Sequence, residues 1–272
     1  MGRANAIVIS GNGINCEMEM SYALRLAGAD RVDIVNIFSI LSGDVNLEDY
    51  NFINFAGGFL DGDNLGSARA GAVRFRFAKI DGTNERLIDS ILRFINRGGL
   101  IIGVCNGFQL LVKLGLLPGF DGNYTEQRVT LTFNKSGRFE DRWVYLKVNK
   151  NSQCIFTRGL DELYLPVRHG EGRFLTDSED TLNRLISDNQ IVIQYIKKGD
   201  KNYTMDYPDN PNGSIIGIAG ICSKDGRVFG LMPHPEAFLH YTNHPRWFRE
   251  RLPEEGDGLK IFKNAVKFLK NS

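Results

Sequence analysis

Short apolar runs rich in β-branched residues alternate with glycine turns and helically spaced segments through the first half of the chain. The runs Ala6–Ser10, Val32–Ile37, Phe52–Phe55 and Leu100–Val104 read as strands. They are almost continuously apolar, which is the pattern of parallel strands covered on both faces rather than of strands with one wet side. Helices are predicted between them at Glu17–Leu26, Asn84–Asn96 and Phe108–Leu114, the second with Leu87, Ile88, Ile91, Leu92 and Ile95 on one face. The expectation is an α/β fold: an open, mostly parallel sheet with helices on both faces.

Beyond Gly115 the pattern shortens. Strand candidates at Arg128–Phe133, Trp143–Val148, Ile191–Ile196, Ile215–Ile221 and Val228–Met232 are separated by turn-rich segments, which predicts an antiparallel extension of the sheet. Asp206–Ser214, with its Asp, Asn, Pro and Gly, reads as a loop, and an amphipathic helix from about Gly258 to Leu269 closes the chain. No repeat, low-complexity tract or linker divides the sequence, so residues 1–272 are expected to form one domain.

Charge narrows the function classes. Lys and Arg number 33 against 32 Asp and Glu, a formal charge of +1, which offers no footprint for nucleic acid or an acidic membrane. The opening apolar run, Ile7–Ile9, is too short for a signal sequence or a membrane span. Cys16, Cys105, Cys154 and Cys222 are scattered without CxxC spacing, which suits neither a disulfide framework nor a zinc cluster. A cytoplasmic setting is expected, with no metal in the site.

Candidate chemistry begins at Leu100-Ile-Ile-Gly-Val-Cys-Asn-Gly-Phe-Gln109. An apolar strand there stops at a cysteine and passes through a glycine into a helix. Such a strand-turn-helix lifts the central side chain above the carboxyl edge of the sheet, and Gly103 and Gly107 permit the tight bend. The helix mouth favours a thiolate, and the Asn106 N–H stands ready for a developing oxyanion. A cysteine at a strand end can equally be a small buried residue. What raises it to a nucleophile candidate is a base elsewhere.

That base is His234, in Gly230-Leu-Met-Pro-His-Pro-Glu236, also just past an apolar strand candidate and held between prolines. Glu236 is placed to accept the proton of its other ring nitrogen, as the acid of a Ser-His-Asp triad does. His169, in Val167-Arg-His-Gly-Glu-Gly172, is the rival base, with Glu171 in a glycine-flanked loop. His240 and His244 lie in a polar, proline-bounded segment that reads as solvated loop rather than as a metal pair.

Gly103-Val-Cys-Asn-Gly-Phe-Gln109 together with Pro233-His-Pro-Glu236 resembles the class I, triad-type glutamine amidotransferases, whose nucleophile turn reads G-x-C-x-G-x-Q and whose later strand ends in H-x-E. The C-N-G of the turn is similar to that of the glutaminase of phosphoribosylformylglycinamidine synthase. So are Gly57-Gly-Phe59, Ser136-Gly-Arg-Phe-Glu-Asp-Arg-Trp143, Arg168-His-Gly-Glu-Gly-Arg173 and Asn210-Pro-Asn-Gly-Ser214, and the likeness spans nearly the whole chain. It departs at Ala56, where the family usually has Pro, and at Leu60 and Asp61, where an aromatic often stands.

The resemblance implies a flavodoxin-like glutaminase that hydrolyses glutamine through Cys105, His234 and Glu236. It implies an oxyanion hole from Gly57, Gly58 and Asn106, and glutamine binding by Gln109 and His169. It implies as partner a PurL-type synthase subunit, with a small PurS-type accessory subunit, and no cofactor in this chain: ATP and magnesium belong to the synthase. Another amidotransferase of the same type, or a regulatory or stress-type module on the same architecture, is the alternative.

Overall fold

The apolar runs do become neighbouring parallel strands. The computed structural model describes residues 2–272. In chain order the strands are β1 Asn5–Ser10, β2 Arg31–Asn36, β3 Phe52–Phe55, β4 Leu100–Val104, β5 Val129–Thr132, β6 Glu140–Val148, β7 Glu162–His169, β8 Arg173–Thr176, β9 Ile191–Ile196, β10 Ile218–Cys222 and β11 Val228–Leu231. The helices are α1 Glu17–Leu26, α2 Ile37–Leu41, α3 Arg69–Phe77, α4 Leu87–Asn96, α5 Asn106–Leu114, α6 Glu179–Ser187 and α7 Asp257–Asn271.

Among the described residues nine strands make one sheet, in the order β2-β1-β3-β4-β11-β10-β9-β6-β7. From β2 to β11 the pairing is parallel, and beyond β11 every pairing is antiparallel. Helix α1 packs with α7, while α3 packs with α4 and α5, and α5 lies on β3, β4 and β11. The cover explains why β3 and β4 are buried along their whole length. Four adjacent parallel strands, β1, β3, β4 and β11, therefore end along one carboxyl edge. Ligands of open α/β sheets bind there.

Several expectations shift. Ile37 starts α2 instead of ending β2, because the Asn36 side chain accepts the Phe38 N–H at 3.0 Å and caps a helix. Helix α4 begins at Leu87, not Asn84, where Asp89 reaches back to the Arg86 N–H at 3.1 Å. The segment predicted at Arg128–Phe133 leaves the main sheet: β5 pairs only with β8. Strand β7 is an addition to the predicted set. Its Pro166 argues against a central strand but is tolerated on an edge, and β7 is the edge. Helix α3 also goes unpredicted, since its N-cap is Ala68 with no side-chain cap. Among the described residues no helix is long and apolar enough to cross a membrane.

Candidate active site

Cys105 sits one residue past β4 with φ 51° and ψ −104°. A non-glycine residue there costs of order 1–3 kcal/mol, tolerated only where the surroundings impose it. They do so here. Its N–H donates to Leu231 O at 2.8 Å and its carbonyl accepts the Gln109 N–H at 3.0 Å, tying it to β11 on one side and to α5 on the other. The bend also needs its two glycines. A Cβ at Gly103 would lie 2.6 Å from the Gly107 carbonyl oxygen, and one at Gly107 would lie 2.1 Å from Phe55 O. Helix α5 starts at Asn106, two residues earlier than predicted, so the thiol stands at its mouth.

Because Val104 and Leu231 are register partners in adjacent parallel strands, the chain leaving β11 passes beside Cys105. His234 lies in that segment, its N–H donating to Pro166 O at 2.8 Å. Its Nδ1 meets Glu236 Oε1 at 2.6 Å, and both residues are 2 % exposed. Among the described residues its Nε2 makes no hydrogen bond. Burial alone would push the imidazole down, but the charges of Glu236 and Cys105, with thiol contacts from Cys105 and Cys16, hold it well above its ordinary value of 6.5. Cys105 and His234 line one cavity of about 150 Å³ together with Asn15, Cys16, Gly58, Phe59, Asp63, Ser67, Gln109, Phe139, Arg168, His169 and Gly170.

The third wall comes from the loop after β3. Ile14 and Gly58 form an antiparallel bridge flanked by Asn15 N–H to Gly57 O at 3.3 Å and Phe59 N–H to Gly13 O at 2.8 Å. In that arrangement the bridging pair exchanges no bonds, which leaves the Gly58 N–H outside the ladder. Gly58 has φ 144°, and Gly57 could carry no side chain, since a Cβ would lie 2.9 Å from His234 Cε1.

Gln109 is buried beneath the cavity and its amide is engaged. Oε1 accepts from Asn106 Nδ2 at 3.0 Å, and Nε2 donates to Glu171 O at 2.5 Å. Asn106 Oδ1 in turn accepts the Leu60 N–H at 3.1 Å. One amide chain thus joins the nucleophile turn to the β3 loop and to the His169 loop.

His169 is 3 % exposed and is not paired with Glu171, whose Oε1 accepts the Ser67 N–H at 3.1 Å. Its Nδ1 lies 3.1 Å from Asn134 Oδ1. Asn134 Nδ2 donates to Arg138 O and His169 O at 2.9 and 2.7 Å, and its Oδ1 also accepts the Gly172 N–H at 2.9 Å. An amide oxygen only accepts, so His169 Nδ1 carries the proton and Nε2 is a bare lone pair, without a protein partner. Burial, then the nearby charge of His234, lowers its pKa to about 3. It is a neutral group at any ordinary pH.

The segment holding His240 and His244 is not solvated throughout. His240 caps a short turn through Thr242, but His244 is 4 % exposed among the rings of Trp143, Tyr164 and Phe238 at 5.3–5.7 Å. Cys16, Asn15, Asp63, Ser67, Phe139 and Arg168 are cavity residues that the sequence reading passed over. For Cys16 a signal existed: it follows the glycine turn after β1 and immediately precedes α1.

Residues 3–269 match the CobB/CobQ-like glutamine amidotransferase domain. The chain is 47 % identical, over 99 % of each sequence, to the phosphoribosylformylglycinamidine synthase subunit PurQ of Dehalococcoides mccartyi. It is 42 % identical to the PurQ subunit of Methanococcus maripaludis, over 97 % of this chain and 96 % of that one. In three dimensions it is similar to a chain in the structure of PurLQS from Thermotoga maritima, with a TM-score of 0.71 and 29 % identity over 98 % of this chain and 99 % of that one.

Proposed function

The chain belongs to the glutamine amidotransferase family, among the PurQ subunits of phosphoribosylformylglycinamidine synthase, and from that premise we propose that it hydrolyses glutamine at Cys105 and hands the ammonia to a synthase chain. The Cys105 thiolate attacks the side-chain carboxamide, and His234 protonates the departing ammonia. Water activated by His234 then cleaves the γ-glutamyl thioester. Glu236 fixes the tautomer and supports the imidazolium, while the N–H groups of Asn106, Gly57 and Gly58 take the oxyanion.

The observation that carries this reading is the free Nε2 of a histidine whose Nδ1 is already held by Glu236, in the same cavity as a thiol on a strained turn. Gln109 braces the floor of the glutamine pocket, since its amide is engaged. His169 offers the substrate a lone pair that accepts an N–H and disfavours the carboxylate of the product. The acceptor of ammonia is formylglycinamide ribonucleotide, on a PurL-type subunit that supplies ATP and magnesium chemistry, with a PurS-type subunit in the assembly. A cytoplasmic location follows from that pathway.

The test is glutamate release from glutamine, coupled to amidine formation, by the purified chain mixed with its synthase subunit. Full activity in Cys105→Ala would overturn the mechanism. Glutamate release without amidine formation would overturn the assignment of the acceptor.

A further inference from the structure

Cys16 takes no part in the chemistry proposed above, yet its thiol faces the same cavity. One donor atom each from Cys16, His234 and Glu236 lie within 4.8 Å of one another, and all three residues are buried. Thiolate, imidazole and carboxylate are the three ligand types that zinc takes, with bonds of about 2.0–2.3 Å that set donors roughly 3.5 Å apart in a tetrahedron. The donors stand up to 4.8 Å apart, so the three side chains must draw in to bind an ion.

Two further observations point to a ligand. Glu236 Oε2 is buried without a protein partner, and the ring edge that would meet the ion is Nδ1, which Glu236 already faces at 2.6 Å. The trio is also held in place by backbone. The N–H groups of Asn15 and Cys16 donate to Gly57 O at 3.3 and 3.2 Å, and the bare face of Gly57 lets the thiol and the imidazole approach: a Cβ there would be 3.3 Å from Cys16 Sγ and 2.9 Å from His234 Cε1.

We infer that Cys16 Sγ, the His234 imidazole and the Glu236 carboxylate form an inhibitory site for a divalent cation of the zinc class. Binding releases the thiol proton and the proton shared by His234 and Glu236 to solvent, with no change of oxidation state. It takes the imidazole and its carboxylate out of use together. Binding is independent of the glutaminase reading, whereas inhibition rests on it.

Cadmium chloride is the probe, titrated into the purified full chain and followed by calorimetry and by the ultraviolet thiolate-to-cadmium charge-transfer band. The expected result is one thiolate per ion, lost in Cys16→Ser with affinity down about 100-fold, and weakened about 10-fold in Glu236→Gln. Cys105→Ala keeps both band and affinity. Any signal from the buried Cys154 and Cys222 survives in Cys16→Ser and is subtracted. Should serine unfold the chain, Cys16→Ala repeats the measurement. Unchanged binding in both Cys16 variants, or binding lost in Cys105→Ala, overturns the site. A wild-type chain that binds cadmium through Cys16 but releases no glutamate overturns the proposed function and leaves the site standing.

Discussion

A strand end and a turn at the edge of the cavity each bury a histidine almost completely, and the two histidines end with opposite charge preferences. After β11, His234 faces the Glu236 carboxylate at 2.6 Å and is driven up. At the end of β7, His169 faces the Asn134 amide at 3.1 Å and is driven down to about 3. Burial works against the charged form in both. What differs is the partner on Nδ1: a carboxylate repays the desolvation of an imidazolium, and an amide oxygen does not. One cavity is thus lined by an imidazole that favours its charged form and by one that stays neutral.

The comparison breaks most completely at His234. His234→Asn should lower kcat for glutamate release by about 10⁴-fold or more, whereas His169→Asn should act mainly on KM, because it removes an acceptor and not a proton carrier. Steady-state kinetics with the synthase subunit separates them, and similar kcat losses would erase the distinction. Next comes Glu236→Gln, which gives His234 the kind of partner His169 has. A loss of about 10³- to 10⁴-fold in kcat is expected, the imidazole being left in the wrong tautomer and unsupported when charged. Retained activity would show that burial near Cys105 suffices.

Stability carries the third test. In the folded chain His169 titrates near 3 against an ordinary 6.5, so in the unfolded chain it picks up a proton that the native state refuses. Its contribution is therefore complete above pH 6.5 and is lost as pH falls from 6.5 toward 3, reaching at most about 5 kcal/mol. Denaturant unfolding over that range should show a steep acid limb that flattens in His169→Asn. An acid limb of equal slope in both proteins would return His169 to an ordinary surface-like titration.

How much of this was legible in the chain follows from how local each feature is. The Cys105 turn and the His234–Glu236 pair are written within ten consecutive residues each, and the strand-glycine-helix grammar gives them away. For Gln109 only the resemblance offered a role, since its partner Glu171 is 62 positions off and meets it across the fold. Asn134 could not be paired with His169 in advance, because the contact depends on β5 leaving the main sheet to pair with β8. Cys16 was hidden for a different reason. It joins His234 only because β1 and β3 are neighbours, so that the turns after both strands meet over Gly57. The edge strand β7 was masked by its own Pro166, a residue whose meaning depends on knowing which strand is outermost.

A smaller perturbation asks whether the neutral histidine can be converted. Asn134→Asp supplies His169 with a carboxylate but removes the two donor bonds to Arg138 O and His169 O. Losing two buried donors should cost about 2–3 kcal/mol at neutral pH, and the His169 resonance should now titrate upward of its present value, read by histidine side-chain NMR. A His169 that stays neutral in the Asn134→Asp variant would mean that the positive charge of His234, not the amide partner, dictates its state.

The smallest expected change tests the packing that holds this neutral ring. A Cβ at Gly172 would lie 2.4 Å from His169 Cε1 and 2.5 Å from Nδ1, so Gly172→Ala must push the ring off the Asn134 amide or lift the loop. Gly172 is not a left-handed residue, so its backbone does not itself require glycine; the clash with the imidazole does. Overpacking of this kind costs about 1–3 kcal/mol. Because the Gly172 N–H also binds Asn134 Oδ1, and Glu171 O holds Gln109, the strain should pass to the floor of the nucleophile turn. The expected signature is a modest fall in unfolding free energy with a rise in KM for glutamine. The double variant His169→Ala, Gly172→Ala should recover the stability lost to Gly172→Ala alone, since the freed volume accepts the methyl group. A double variant no more stable than Gly172→Ala would locate the clash in the backbone of the loop and detach Gly172 from the neutrality of His169.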